Sequence, residues 1–193
     1  MDDKWIENLS IEEFKRSIFA LKTRKLGTFV EYMLSKIIKE LEAVKCKQYF
    51  DLIDTKNNER IEVKSSIIRK KNNRISGSNN LKIIKLLKEA CEDKVIFFNE
   101  WKNFKWDSNI QQIKKSFFDI LYYVIFFSDI IKIFKISSND IDSKINYSNK
   151  QHRNNEGEGQ FHITNDNFQT HLDNYLQVTI NYEDLLKILK ENQ

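Results

Sequence analysis

Two short stretches carry residue types suited to hydrolytic chemistry. Asp51 lies in Tyr49-Phe50-Asp51-Leu52-Ile53-Asp54, and Glu62 and Lys64 follow a polar turn in Arg60-Ile61-Glu62-Val63-Lys64-Ser65-Ser66. Side chains alternate along a strand, so Glu62 and Lys64 share a face, as do Asp51 and Ile53. A β-hairpin turning near Asn57-Asn58 sets Asp51 opposite Lys64, with Glu62 as its diagonal neighbour. Asp54 then points to the other face, and a one-residue slip would exchange it with Asp51. Two carboxylates supply the hard oxygens that Mg²⁺ prefers, and an amine beside them can orient a nucleophile or meet developing charge. A metal so held activates water and stabilises phosphoryl oxygens, which is the chemistry of phosphodiester hydrolysis. The alternative is a cross-strand ion pair on a solvated face, worth little. Ile61, Ile67 and Ile68 around the motif favour a strand within a sheet.

The flanking elements are legible from pattern. Ser10-Ile11-Glu12-Glu13 is a capping box that starts a helix running to about Lys25, with Gly27 as a break. A second helix follows, its apolar face formed by Val30, Met33, Leu34, Ile37 and Leu41. After the hairpin, Ser76-Gly77-Ser78-Asn79-Asn80 caps a helix over roughly residues 81 to 92. Phe117 to Phe127 is almost wholly aromatic and β-branched, as in a central strand buried on both faces. Ser128-Asp129 turns the chain into a further strand, Ile130 to Ile136. Ser137 to Gln160 has few apolar residues and reads as a functional or partly disordered loop. Val178 to Asp184 ends in a helix cap with acids in the first turn, and Leu185 to Leu189 complete a C-terminal helix. Helices flanking a mostly β centre read as an α/β or α+β core. Its 193 residues suit a single domain, with N-terminal helices (1–44), a catalytic core (45–136), a polar loop region (137–177) and a C-terminal helix (178–193).

In sequence, Asp51 followed by Glu62-Val63-Lys64, after a helix carrying Glu31 within Gly27-Thr28-Phe29-Val30-Glu31, resembles the PD-(D/E)xK nuclease superfamily. Phe50 stands where a strict motif has proline. Phe50-Asp51-Leu52-Ile53-Asp54 and Arg60-Ile61-Glu62-Val63-Lys64-Ser65-Ser66 look most like type II restriction endonucleases, and so do Asn109-Ile110-Gln111-Gln112-Ile113-Lys114 and Phe118-Asp119-Ile120-Leu121-Tyr122-Tyr123. The likeness spans roughly residues 27 to 135. It implies a restriction-endonuclease-like αβββαβ core, Mg²⁺ as cofactor with Mn²⁺ able to substitute, and cleavage leaving a 5′-phosphate. Asp51 and Glu62 carry over as metal ligands, the Val63 carbonyl as a further metal contact, and Lys64 as the catalytic lysine. Glu31 is either a helix-borne acid near the metal or the partner of Thr28 in a capping box. The implied substrate is double-stranded DNA cut at a short sequence, with a homodimer matching a palindromic site and a companion DNA methyltransferase. A junction-resolving or repair nuclease on the same scaffold, and a non-catalytic nucleic-acid-binding protein, are the rivals.

Candidate DNA contacts follow from charge and side-chain type. Arg69, Lys70, Lys71 and Arg74 come directly after the motif and can straddle phosphates, or can form a solvated basic loop. Gln112 and Lys114 lie where the resembling nucleases place polar groups near substrate, and a plain strand edge explains them equally. Asn149 to His162 concentrates side chains that read base edges: Gln151, His152, Arg153, Asn154, Asn155, Gln160 and His162. Gly157 and Gly159 in that segment suggest a tight path.

Other classes are disfavoured. Net charge is +4, mildly basic and compatible with nucleic acid without demanding it. Cys46 and Cys91 form no metal spacing or disulfide framework, which with the acidic, non-apolar N-terminus predicts a cytoplasmic protein without a signal peptide. The longest apolar run, broken by Asp119, is too short for a bilayer span, so no membrane is expected. His152, His162 and His171 lack zinc-site spacing, and there is no Walker A or dinucleotide fingerprint.

Overall fold

The computed structural model describes residues 8–44, 49–70, 94–150 and 156–192. Two helices lead: α1 (Ile11–Ala20) and α2 (Thr23–Ile37). The Ser10–Glu13 capping box forms as expected, each side chain bonding the other's backbone N–H. The break between helices, however, lies at Leu21-Lys22, and Gly27 sits inside α2. Two things explain the shift. Arg69 donates to the Phe19 carbonyl (2.7 Å), closing the end of α1 with a cation. Gly27 costs a helix only about 1 kcal/mol relative to Ala, and the burial of Leu26, Val30, Met33 and Leu34 along one face of α2 outweighs that.

A six-stranded mixed sheet follows, in the order β1-β2-β3-β5-β6-β9. Its strands are β1 (Leu41–Ala43), β2 (Leu52–Asp54), β3 (Glu59–Ile67), β5 (Ile120–Phe126), β6 (Ile130–Ser137) and β9 (Leu176–Asn181). The first three form an antiparallel meander, β5 runs parallel to β3, and β6 and β9 continue antiparallel. Every residue of β5 is buried, as its unbroken apolar sequence requires. The hairpin ladder pairs Leu52 with Ile61, Ile53 with Arg60 and Asp54 with Glu59. The four residues Thr55 to Asn58 turn it, with Asn58 in the left-handed region at φ 56°. The register therefore differs from the expected one, and Asp51 does not stand opposite Lys64.

A second, three-stranded antiparallel sheet has the order β4-β8-β7, from β4 (Asp107–Ile113), β7 (Ser148–Lys150) and β8 (Glu156–Thr164). Two further helices follow among the described residues, α3 (Phe168–Tyr175) and α4 (Tyr182–Glu191), the latter capped by Asn181. The expectation of a polar loop over 137–177 is corrected. That region holds β7, β8 and α3, because Phe161, Ile163 and Phe168 bury their side chains completely. Residues 151–155, the expected helix at 81–92, Cys46 and Cys91 lie outside the described residues.

Two hydrophobic clusters occupy opposite faces of the large sheet, and β5 shows the alternation. Ile120, Tyr122, Val124 and Phe126 join the cluster under α1, α2 and α4. Leu121, Tyr123 and Ile125 join an aromatic cluster shared with β4, β8 and α3. Leu52, Ile61 and Val63 belong to the first cluster, so Glu62 and Lys64 fall on the second face, beneath the small sheet. No helix among the described residues is long and apolar enough to cross a membrane.

Candidate active site

Asp51 precedes β2 and extends its ladder with a side chain. Its N–H donates to the Ile61 carbonyl (2.9 Å), and its carboxylate Oδ2 accepts from the Val63 N–H (2.8 Å). It thus grips the backbone on both sides of Glu62. Val63 is 6% exposed, so this N–H would otherwise be buried without a partner. Asp51 Oδ1 takes no hydrogen bond among the described residues.

Glu62 and Lys64 form an ion pair in which the Lys64 ammonium donates to Glu62 Oε1. Both side chains are mostly buried, at 13% and 22% exposure. The Glu62 pKa is raised, first by burial. Lys64 pulls it down, while the neighbouring charges of Asp51 and Glu31 push it up again. Glu62 thus feels two neighbouring carboxylate charges while it is ion-paired with Lys64.

Glu31, on α2, is close enough for its charge to raise the Glu62 pKa. The capping-box alternative for it fails, because Thr28 lies within the helix and its Oγ1 donates to the Arg24 carbonyl (3.3 Å). Asp54 is occupied elsewhere. Its carboxylate accepts from the Lys56 and Asn57 N–H groups (2.9 and 3.0 Å) and from Asn57 Nδ2 (3.1 Å), closing the hairpin turn. Burial opposes its charge, but those hydrogen bonds hold its pKa below the ordinary value.

The site strand is clasped to its neighbour by a pair not anticipated from sequence. Arg60 donates to Asp119 through N (2.8 Å), Nε (3.0 Å) and a terminal guanidinium nitrogen (2.8 Å), and Asp119 N–H returns a bond to the Arg60 carbonyl (2.8 Å). Asp119 was legible only as an interruption of an apolar run. Its role depends on the parallel register of β3 and β5, which aligns Ile61 with Ile120.

The expected DNA contacts are dispersed. Arg69 is committed to α1, and Lys70 Nζ lies 3.9 Å from the centre of the Phe104 ring. Gln112 occupies a β-bulge in β4 at φ 61°, and Lys114 pairs with Glu158 (2.9 Å). Gln160 and His162 lie on β8, where Gln160 Oε1 accepts from Asn109 Nδ2 (3.2 Å) and His162 Nδ1 donates to Asp107 (2.8 Å). Lys71, Arg74, Gln151, His152, Arg153, Asn154 and Asn155 fall outside the described residues. Asp107 and Asn109 were not singled out from sequence, although Asp107-Ser108-Asn109-Ile110-Gln111 shows the period-two alternation of a half-exposed strand.

Among the described residues, no three His, Cys, Asp or Glu side chains are gathered into a metal-binding group. The donor set at the hairpin still suits a hard divalent cation, which is commonly held by one or two carboxylates together with waters and substrate phosphate. Asp51 Oδ1 takes no hydrogen bond among the described residues, and a cation there would offset the burial and the neighbouring carboxylate charges that together raise Glu62. No protein-family model matches the chain, and no curated protein matches it.

Proposed function

We propose that this protein is a Mg²⁺-dependent endonuclease of the restriction-endonuclease type, acting on double-stranded DNA. The observation that carries the reading is the convergence of Asp51, Glu62 and Lys64 at the β2–β3 hairpin, with Glu31 close enough to perturb Glu62. The strand order β1-β2-β3-β5 behind α2, with β5 parallel to β3, supports the αβββαβ assignment. Asp51, Glu62 and the Val63 carbonyl would hold the Mg²⁺, whose chemistry is to acidify water and to neutralise phosphoryl charge. Asp51 also fixes the hairpin through the Val63 N–H, which holds the two carboxylates in one place. Lys64, ion-paired with Glu62, offers a cation to the oxyanion that develops at phosphorus. A two-fold dimer acting on a palindromic site in the cytoplasm, beside a methyltransferase of matching specificity, completes the proposal.

The test is digestion of a plasmid of known sequence with Mg²⁺, by the wild type and by Lys64→Ala. Discrete fragments with the wild type and none with the variant are expected. Intact plasmid with both proteins, or identical fragments from both, overturns the reading.

A further inference from the structure

The outer face of the small sheet carries polar side chains at every outward position. On β4, Ser108, Ile110 and Ile113 are buried while Asp107, Asn109 and Gln111 point out. On β8, Phe161 and Ile163 are buried while Gln160 and His162 point out. Register aligns Asn109 with His162 and Gln111 with Gln160 across the two strands. An exposed sheet face is ordinarily polar, so composition alone decides nothing. Two further observations do.

First, the groups hold one another. Asp107 fixes the His162 ring through Nδ1, and Asn109 donates to Gln160 Oε1. Second, the Asn109 Oδ1 acceptor is buried and has no partner among the described residues. A buried polar atom without a partner is uncommon and calls for an explanation. The Asn109–Gln160 hydrogen bond consumes one donor and one acceptor. It leaves an acceptor on Asn109 and the donor Nε2 on Gln160, side by side on adjacent strands. Adenine presents the complement in the major groove, an N6 donor beside the N7 acceptor. β-Strands can enter that groove, and β4 packs against the motif strand β3.

We infer that the β4–β8 face reads an A·T base pair of duplex DNA in the major groove through Asn109 and Gln160, with His162 held by Asp107 as a neighbouring contact. This rests on the nuclease reading for its setting but makes a separate statement about binding. Asn109 Oδ1, buried in the unbound structure, gains adenine N6 as its donor when Gln160 turns away from Asn109 onto the base.

The experiment is selection of bound duplexes from a random-sequence DNA pool by the full chain in Ca²⁺. It is run with the wild type, Asn109→Ala, Gln160→Ala and Gln160→Glu. The last is close in shape and replaces the amide donor with an acceptor. Far-UV circular dichroism verifies that each variant is folded. The wild type is expected to enrich a motif with an A·T pair that each folded variant ceases to require. Affinity for that motif is expected to fall about 5- to 150-fold. The inference is overturned if the wild type enriches no motif, if the motif has no fixed A·T pair, if the Glu variant retains motif and affinity, or if single-stranded RNA competes better than the duplex. Plasmid digestion in Mg²⁺ scores the nuclease reading separately. Cleavage with an unchanged motif in the variants sinks the inference alone, and a variant-sensitive motif without cleavage sinks the nuclease reading alone.

Discussion

Asp51 is assigned two duties, and substitution can separate them. Its Oδ2 accepts the Val63 N–H at 2.8 Å, on a residue that is nearly inaccessible to solvent. Asp51→Ala removes the acceptor and leaves that donor unmet, which costs about 1 to 3 kcal/mol. Asp51→Asn keeps an oxygen in the same position, so its stability should stay within about 0.5 kcal/mol of wild type. With a urea slope of roughly 2 kcal/mol/M, a loss of about 2 kcal/mol moves the unfolding midpoint down by about 1 M. Under the proposed function, cleavage should behave differently, because both variants lose the anionic oxygen that would hold the cation. Even residues behind a metal's direct ligands cost 10- to 100-fold when changed, so each variant should lose at least about 100-fold. The assays are urea melts followed by circular dichroism, and plasmid cleavage in Mg²⁺. An Asp51→Ala protein as stable as wild type refutes the backbone duty. An Asp51→Asn protein that cuts at the wild-type rate refutes the metal duty.

Four other outcomes are expected. Thr28→Ala should change stability by less than about 0.5 kcal/mol, where loss of a true N-cap would cost about 1 kcal/mol; Glu31→Gln, by contrast, should depress Mg²⁺-dependent cleavage, and normal cutting by it would remove Glu31 from the site. Burial lowers the pKa of His171 from 6.5 to about 4, with Nδ1 sharing a hydrogen bond with the Tyr123 hydroxyl (2.8 Å). The unfolded chain therefore takes up a proton between pH 6.5 and about 4 that the native state refuses. The neutral ring's stabilisation is full above pH 6.5 and is lost as pH falls to about 4, roughly 3 kcal/mol in all. Urea melts across that range should show the slope in wild type and not in His171→Gln. Gly159→Ala would drive a methyl group into the Tyr147 ring and should cost about 1 to 3 kcal/mol, recovered in part by adding Tyr147→Ala; equal stability of Gly159→Ala and wild type in a thermal melt would refute the packing argument.

The parts of the fold that were legible in the sequence are those set by local chemistry. The Ser10–Glu13 cap, the fully apolar β5 and the Asn181 cap each follow from residues a few positions apart. What went unread depends on distant partners. The end of α1 is set by Arg69, which no pattern near Phe19 announces. β8 and α3 were hidden in a polar stretch because their described residues contribute few apolar side chains to the aromatic cluster, chiefly Phe161, Ile163 and Phe168. At the site, residue types and face parity were visible in Asp51, Glu62 and Lys64. The register was not, because a four-residue turn with a left-handed Asn58 can close a hairpin in more than one alignment. The use of Asp51 as a substitute rung, beyond the last backbone pair of β2, has no signature in the sequence.

The side-by-side, same-direction pairing of Glu59–Ile67 with Ile120–Phe126 has a consequence for how the protein comes into being. During synthesis the hairpin bearing the acidic residues emerges long before the strand that flanks it. More than fifty residues must be made before Asp119 can close on Arg60. Non-local pairings of this kind form late, after the entropy of a long loop has been spent. A chain cut short before Phe126 therefore carries the acidic residues without the wall that aligns them, and assembly of this centre is deferred until that strand has been made.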